Sequence, residues 1–253
     1  MKIYNIFYIL YIIYLLYMAK IINFATMYVL FTAILIIIIL AIYYFTVQKN
    51  KSIQKWAKSY MLVNNGDKDI PCTVYCFRVN NADEWALVYG NPQLDEYPLV
   101  RMQSQCITGI TLDDTECDCK QNMDFSKKMI NESPNGGILF ILNQEGKNHG
   151  GIVKLKELSM RRDGIPETEV LKKLGIEWDN RNYEFIPQAL SIIGVQNKIR
   201  LITRFRERAN ELGRDGVVVK EIVHYPYYVT KNNCEYLKMK KMDFNYNFGE
   251  IKC

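Results

Sequence analysis

Three cysteines carry the strongest chemical signal in this chain: Cys106, then Cys117 and Cys119 on either side of Asp118. Thiolates are soft ligands that suit zinc, and a Cys-x-Cys pair can chelate one ion from a single turn. Cys106 must return to that turn from a loop, which Gly109 makes plausible. The number of donors matters. Structural zinc is normally closed by four protein ligands, whereas three leave a position for water, whose pKa the ion lowers towards neutrality. Taken alone, Cys-x-Cys is a weak motif, and inert reduced cysteines are the competing reading. With Cys72, Cys76, Cys234 and Cys253 the chain has seven cysteines, an odd number. In a chain this long that is no small disulfide scaffold, and a cytosolic setting with free or metal-bound thiols fits better. Cys72 and Cys76 share a face of an alternating segment and read as buried thiols, while Cys234 and Cys253 have no assignment.

The elements that must hold the cysteine cluster can be read from periodicity. Residues 70–79 alternate as a strand, Asn80-Asn81 signals a turn, and 84–89 reads as the returning strand. Short strands follow at 99–102, 138–142, 199–203 and 217–223. Helical patterns cover 120–131, 152–162, 186–193 (with Pro187 in the first turn) and 207–212. Strands alternating with helices predict an α/β domain with a mixed sheet flanked by helices.

The first 46 residues are different in kind, with Lys2 and Lys20 as their only charged side chains. Residues 21–46 carry no formal charge and are long enough to cross the ~30 Å hydrocarbon layer. Lys49, Lys51, Lys55 and Lys58 follow, a positive flank usually kept on the cytoplasmic side. The reading is a membrane segment at 1–46, a basic, helical connector at 47–59 and a cytoplasmic domain at 60–253. Residues 3–19 are a second apolar run, so one or two transmembrane helices are open, as is a true start at Met18. Beyond residue 46 the charge is about +3 (30 Lys and Arg against 27 Asp and Glu), which gives no nucleic-acid footprint.

Several blocks in order give the cysteines a context. Residues 98–109, Pro-Leu-Val-Arg-Met-Gln-Ser-Gln-Cys-Ile-Thr-Gly, followed by Cys117-Asp118-Cys119, resemble the zinc signature of GTP cyclohydrolase II. Gln144-Glu145-Gly146-Lys147 resembles that family's Gln-Glu-Gly-Arg loop. Asp179-Asn180-Arg181 and Ile199-Arg200-Leu201-Ile202-Thr203 match further blocks, over roughly residues 60–245.

The resemblance implies an enzyme that opens the imidazole ring of GTP, releasing formate and pyrophosphate for riboflavin synthesis. It implies one zinc per subunit on Cys106, Cys117 and Cys119, whose water attacks guanine C8. Arg181 matches the arginine proposed to attack the α-phosphorus, with Asp179 as its proton acceptor. Arg101, Gln105, Asn122, Glu145, Lys147, Thr203 and Arg208 fall at substrate-contact positions, with Glu145 facing the guanine and Arg101 and Lys147 the phosphates. Mg2+ can arrive with the triphosphate, and a homodimer is implied.

The departures are specific. The family's His-Ser-Glu is Gln103-Ser104-Gln105 here, the glycine after the last cysteine is Lys120, and a glutamine is replaced by Asn122. Asn143 replaces an arginine, Arg208 a lysine, and Thr203-Arg204-Phe205-Arg206 stands for Thr-Asn-Asn-Pro. The tyrosine of the helix after the Glu-Gly loop falls on Leu158, which has no hydroxyl to move a proton. A formylated product is the expected consequence. The alternatives are a ring-opening enzyme for another purine nucleotide and a non-catalytic nucleotide-binding protein on a membrane. His149 and His224 read as packing or surface residues.

Overall fold

The computed structural model describes residues 2–64 and 68–253. The chain divides into two compact units, Met1–Asn50 and Lys51–Cys253. The first is one helix, α1 (Lys2–Lys51), which contains neither proline nor glycine. Because nothing in it breaks a helix, α1 runs through Lys20 and Asn23 without a turn, so of the one or two helices left open by the sequence a single continuous one forms. Its stretch Leu10–Tyr43 holds an 18-residue segment with a mean hydropathy of 2.8 and is, by length and composition, able to cross a bilayer. Apolar side chains such as Leu30, Phe31 and Ile37 are exposed along it.

In the second unit, strand β1 (Lys55–Asn64) occupies ground read above as a helical connector. It is paired along its whole length with β2 (Asp69–Val79), so sheet pairing has overridden local preference. The remaining strands are β3 (Ala82–Gly90), β4 (Leu99–Ser104), β5 (Gly136–Leu142), β6 (Lys198–Ile202) and β7 (Val218–Val223). Helices α2 (Cys119–Glu132), α4 (Gly151–Arg162), α6 (Ile186–Ile193) and α7 (Glu207–Arg214) stand where periodicity places them. A short turn α3 (Glu145–Asn148) and helices α5 (Glu167–Leu174) and α8 (Cys234–Phe244) complete the unit.

Among the described residues seven strands form one sheet in the order β1-β2-β3-β5-β4-β6-β7. Pairing is antiparallel from β1 to β5 and parallel among β5, β4, β6 and β7. Side chains alternate across the sheet. One face sends Phe77, Val100, Met102, Phe140 and Leu201 into a core shared with Ile186 and Leu190 of α6. The other buries Val74, Leu99, Leu139 and Ile202 against Met123 and Ile130 of α2. Arg101 and Gln103 alternate in register with Leu99, so β4 carries two buried polar side chains on that second face.

Candidate metal centre and active-site cleft

In a sheet with parallel strands, ligands gather at the strands' carboxyl ends. Cys106 lies two residues beyond β4, Glu145 three beyond β5 and Thr203 one beyond β6, and because these strands run parallel the three ends open on one edge. A cleft there encloses about 840 Å³ of space, its open mouth included. Its walls include Arg101, Gln105, Cys106, Cys119, Asn122, Glu145, Lys147, Arg181, Thr203 and Arg208.

Cys106, Cys117 and Cys119 bring their sulfurs within 4.8 Å of one another. Two features make this possible. After β4 the chain takes a π-helical turn, Ile107–Thr111, that folds Cys106 back, and Cys119 opens α2. Within the turn, a Cβ on Gly109 would lie 2.2 Å from the Cys117 sulfur and 3.4 Å from that of Cys106. Only a residue without a side chain leaves room for the cluster. Contacts from Cys117 and Cys119 hold the Cys106 thiol well below its ordinary pKa, while the same contacts push Cys119 up. Crowded sulfurs that cannot all ionise by themselves suit a bound cation, and a soft three-thiol set fits zinc. Gly109→Ala is therefore expected to lower metal affinity ~10- to 100-fold while leaving the sheet folded; elemental analysis and circular dichroism check it.

The rest of the cleft favours an anion. Arg101 is buried, donating to the Ile202 carbonyl (3.1 Å) and the Gln103 side chain (2.8 Å), with its guanidinium 5.0 Å from the Tyr225 ring. Arg208 is equally buried and donates to the Tyr183 hydroxyl (3.1 Å) and weakly to the Met102 carbonyl (3.4 Å). Among the described residues neither has a carboxylate in ion-pair contact, and the Arg101 Nε–H has no acceptor. Buried cations held this way are complementary to phosphate oxygens. Lys147 places its Nζ 3.5 Å from the centroid of Trp178, which stacks on Phe244. Around Lys147 the backbone is left-handed at three consecutive residues, with φ of 56° at Gly146, 57° at Lys147 and 69° at Asn148.

Glu145 accepts the Ile107 N–H at 2.6 Å through one carboxylate oxygen, and its other oxygen is buried without a partner. Burial pushes this carboxyl up. Asn122 also has a buried side-chain oxygen without a donor. Gln105 is anchored by its N–H on the Leu142 carbonyl (2.7 Å), and the Thr203 hydroxyl accepts the Phe205 N–H (3.1 Å).

Asp179 and Arg181 meet face to face. The Arg181 Nε–H reaches both carboxylate oxygens (2.8 and 3.0 Å), one Nη contacts Oδ2, and the Arg181 backbone N–H adds a bond of 3.1 Å. The side chains are 11% and 9% exposed respectively. Burial works to raise the Asp179 carboxyl, but its bonds to Arg181 outweigh it and hold the group below the usual carboxylate range.

Several cleft residues carry no motif and escaped the sequence reading. Tyr225, Tyr236, Met239, Lys240 and Tyr246 line it from the C-terminal segment, and Glu157 and Trp178 from elsewhere. Of these, Tyr236, Met239 and Lys240 are brought in by α8. Leu158 is half-buried on α4 and lines neighbouring grooves with Arg162 rather than the main cleft. Cys234 and Cys253 form a disulfide, which differs from the expectation of free or metal-bound thiols. His149 bonds the Glu177 carbonyl and His224 the Thr203 carbonyl, both away from the three sulfurs.

Comparison with known proteins gives the arrangement its family. The model of the GTP cyclohydrolase II family matches residues 62–224. The chain is 34% identical to GTP cyclohydrolase-2 of Vibrio cholerae over 145 residues, covering 57% of this chain and 72% of that one. Against GTP cyclohydrolase-2 of Buchnera aphidicola it is 32% identical over 163 residues, covering 64% and 82%. The riboflavin biosynthesis protein RibBA of Chlorobium phaeovibrioides is 31% identical over 199 residues, 78% of this chain and 47% of that protein. A family match over well more than half of the chain, with relatives aligned over most of their own length, means that this chain belongs to the GTP cyclohydrolase II family and is a hydrolase of that family.

Proposed function

We propose that this chain uses zinc on Cys106, Cys117 and Cys119 to open the imidazole ring of GTP in a riboflavin-type pathway. The observation that carries this reading is a three-sulfur cluster beside a cleft in which the buried Arg101 and Arg208 have no carboxylate partner among the described residues. Zinc bound there supplies a Lewis acid that lowers the pKa of its water. Arg101, Arg208 and Lys147 take phosphate oxygens. The unpartnered oxygen of Glu145 accepts from the guanine edge, and Gln105, Asn122 and Thr203 complete the contacts. Arg181, kept protonated by Asp179, first acts as a fixed cation on the α-phosphate; attack by its nitrogen would require Asp179 to accept a proton. Helix α1 anchors the chain in a membrane with this unit on the cytoplasmic side. A homodimer is the assembly we favour, with the exposed Trp56, Tyr60 and Leu62 on one face of β1 as an apolar surface for it.

The product distinguishes how far the reaction runs. Leu158 supplies no hydroxyl from α4, so the opened ring should keep its formyl group. Full-length, zinc-loaded protein incubated with GTP, and in parallel with other purine nucleotides, is expected to release pyrophosphate and a formylated product by mass spectrometry. Stoichiometric formate with a free 5-amino group would sink the formyl-retention reading and assign proton transfer to Tyr225, Tyr236 or Tyr246. No product from any purine nucleotide would remove the ring-opening reading.

A further inference from the structure

Asp118 sits between two of the three sulfur donors and is 1% exposed. It immediately precedes α2, where an aspartate would ordinarily turn its carboxylate onto the helix's first free N–H groups. It makes no such cap bond. Its Oδ1 instead receives the Lys240 Nζ at 2.5 Å, and Lys240 is itself 10% exposed. Lysine is almost never this buried without a specific partner. Three thiolates and a carboxylate in one loop bring four negative charges against the two positive charges of a divalent ion, and a lysine ammonium reduces the excess.

Helix α8 is fastened so that it can deliver that charge. Asn233 at its start is fully buried and bonds Thr230 and the Tyr228 carbonyl (3.1 Å), while Leu237 is buried one turn on. Cys234 is covalently joined to Cys253. Beyond α8, the Tyr246 N–H bonds the Lys240 carbonyl (3.1 Å) and the Asn247 N–H the Arg204 carbonyl (2.8 Å). The Lys240 ammonium lies 4.5 and 5.2 Å from the Tyr236 and Tyr246 rings, favourable faces for a cation.

We infer that Lys240, beyond the residues matched by the family model, is a positioning residue for the metal loop, holding Asp118 and thereby the backbone that aims Cys117 and Cys119. This rests on the zinc reading proposed above. Outer contacts of this kind typically carry 10- to 100-fold in metal affinity.

The test is a chelator competition for zinc on the full-length chain in detergent, with thermal unfolding measured alongside. Lys240→Met keeps the apolar stem and should weaken zinc binding ~10- to 100-fold, and Lys240→Arg should bind zinc more tightly than Lys240→Met, recovering most of that loss. If the methionine variant does not fold, Asp118→Asn combined with Lys240→Met leaves no unpaired buried charge. That double variant should fold and still bind zinc at least ~10-fold more weakly. A folded variant of either kind with wild-type zinc affinity overturns the inference. If the wild-type chain binds zinc no better than Cys119→Ser, the metal reading itself fails and Lys240 is not at issue.

Discussion

Replacing Cys119 with serine is expected to strip the metal and cut GTP turnover by ~10³-fold or more. A serine hydroxyl is a hard, poorly ionised donor, so it does not substitute for the third soft ligand of the cluster. Losing a Lewis acid removes several kcal/mol of stabilisation of the reacting charge, and each ~1.4 kcal/mol is tenfold in rate. Cys119 is the first residue of α2 and that helix is held by Met123 and Ile130, so the fold should survive. Zinc per chain measured by elemental analysis should fall together with turnover. Undiminished turnover in zinc-free Cys119→Ser protein would refute the metal-dependent mechanism.

The second large effect concerns the buried pair. Arg181→Ala leaves the Asp179 carboxylate enclosed without its partner, a type of change that costs about 3–5 kcal/mol. At roughly 2–4 °C per kcal/mol for a unit of this size, the midpoint of thermal unfolding should drop clearly. Turnover should vanish as well. The double variant Asp179→Asn with Arg181→Met removes both charges and should recover most of the stability, but none of the activity. Because Asp179 has a depressed pKa when folded, its contribution is fully present above the ordinary carboxylate value of ~4 and is lost as pH falls through the lower folded value. The stability difference between wild type and the double variant should therefore begin to shrink as pH falls below about 4 and close only below the depressed folded value of Asp179. An Arg181→Ala protein as stable and active as wild type would show the pair to be incidental.

Sequence periodicity revealed the strands that carry the cleft because they are buried on both faces. Val100, Phe140 and Leu201 are enclosed on one face and Leu99, Leu139 and Ile202 on the other, and runs of that kind stand out in a polar background. β1 did not stand out. It is exposed along nearly its whole length, so burial imposed no apolar alternation on it, and its lysines read as a connector. α5 and α8 were missed for related reasons: α5 is only eight residues long, and α8 buries a lysine where periodicity looks for an aliphatic residue. Within the site, every residue chosen from the family blocks lines the cleft or directly contacts a residue that does. The family blocks gave no warning of Lys240, Tyr236 or Tyr246, whose place depends on a tertiary approach from the far end of the chain. Nothing in the sequence marks Arg101 and Arg208 as buried, and only the structure shows them enclosed.

The loop of Gly146, Lys147 and Asn148 behaves as a loaded spring. Two of its three left-handed residues carry side chains, a conformation that stores of order 1–3 kcal/mol at each. The ammonium of Lys147 seated on Trp178 helps hold the loop cocked. Under the proposed function, a triphosphate that draws that ammonium off the indole would remove one of the contacts that hold these φ values.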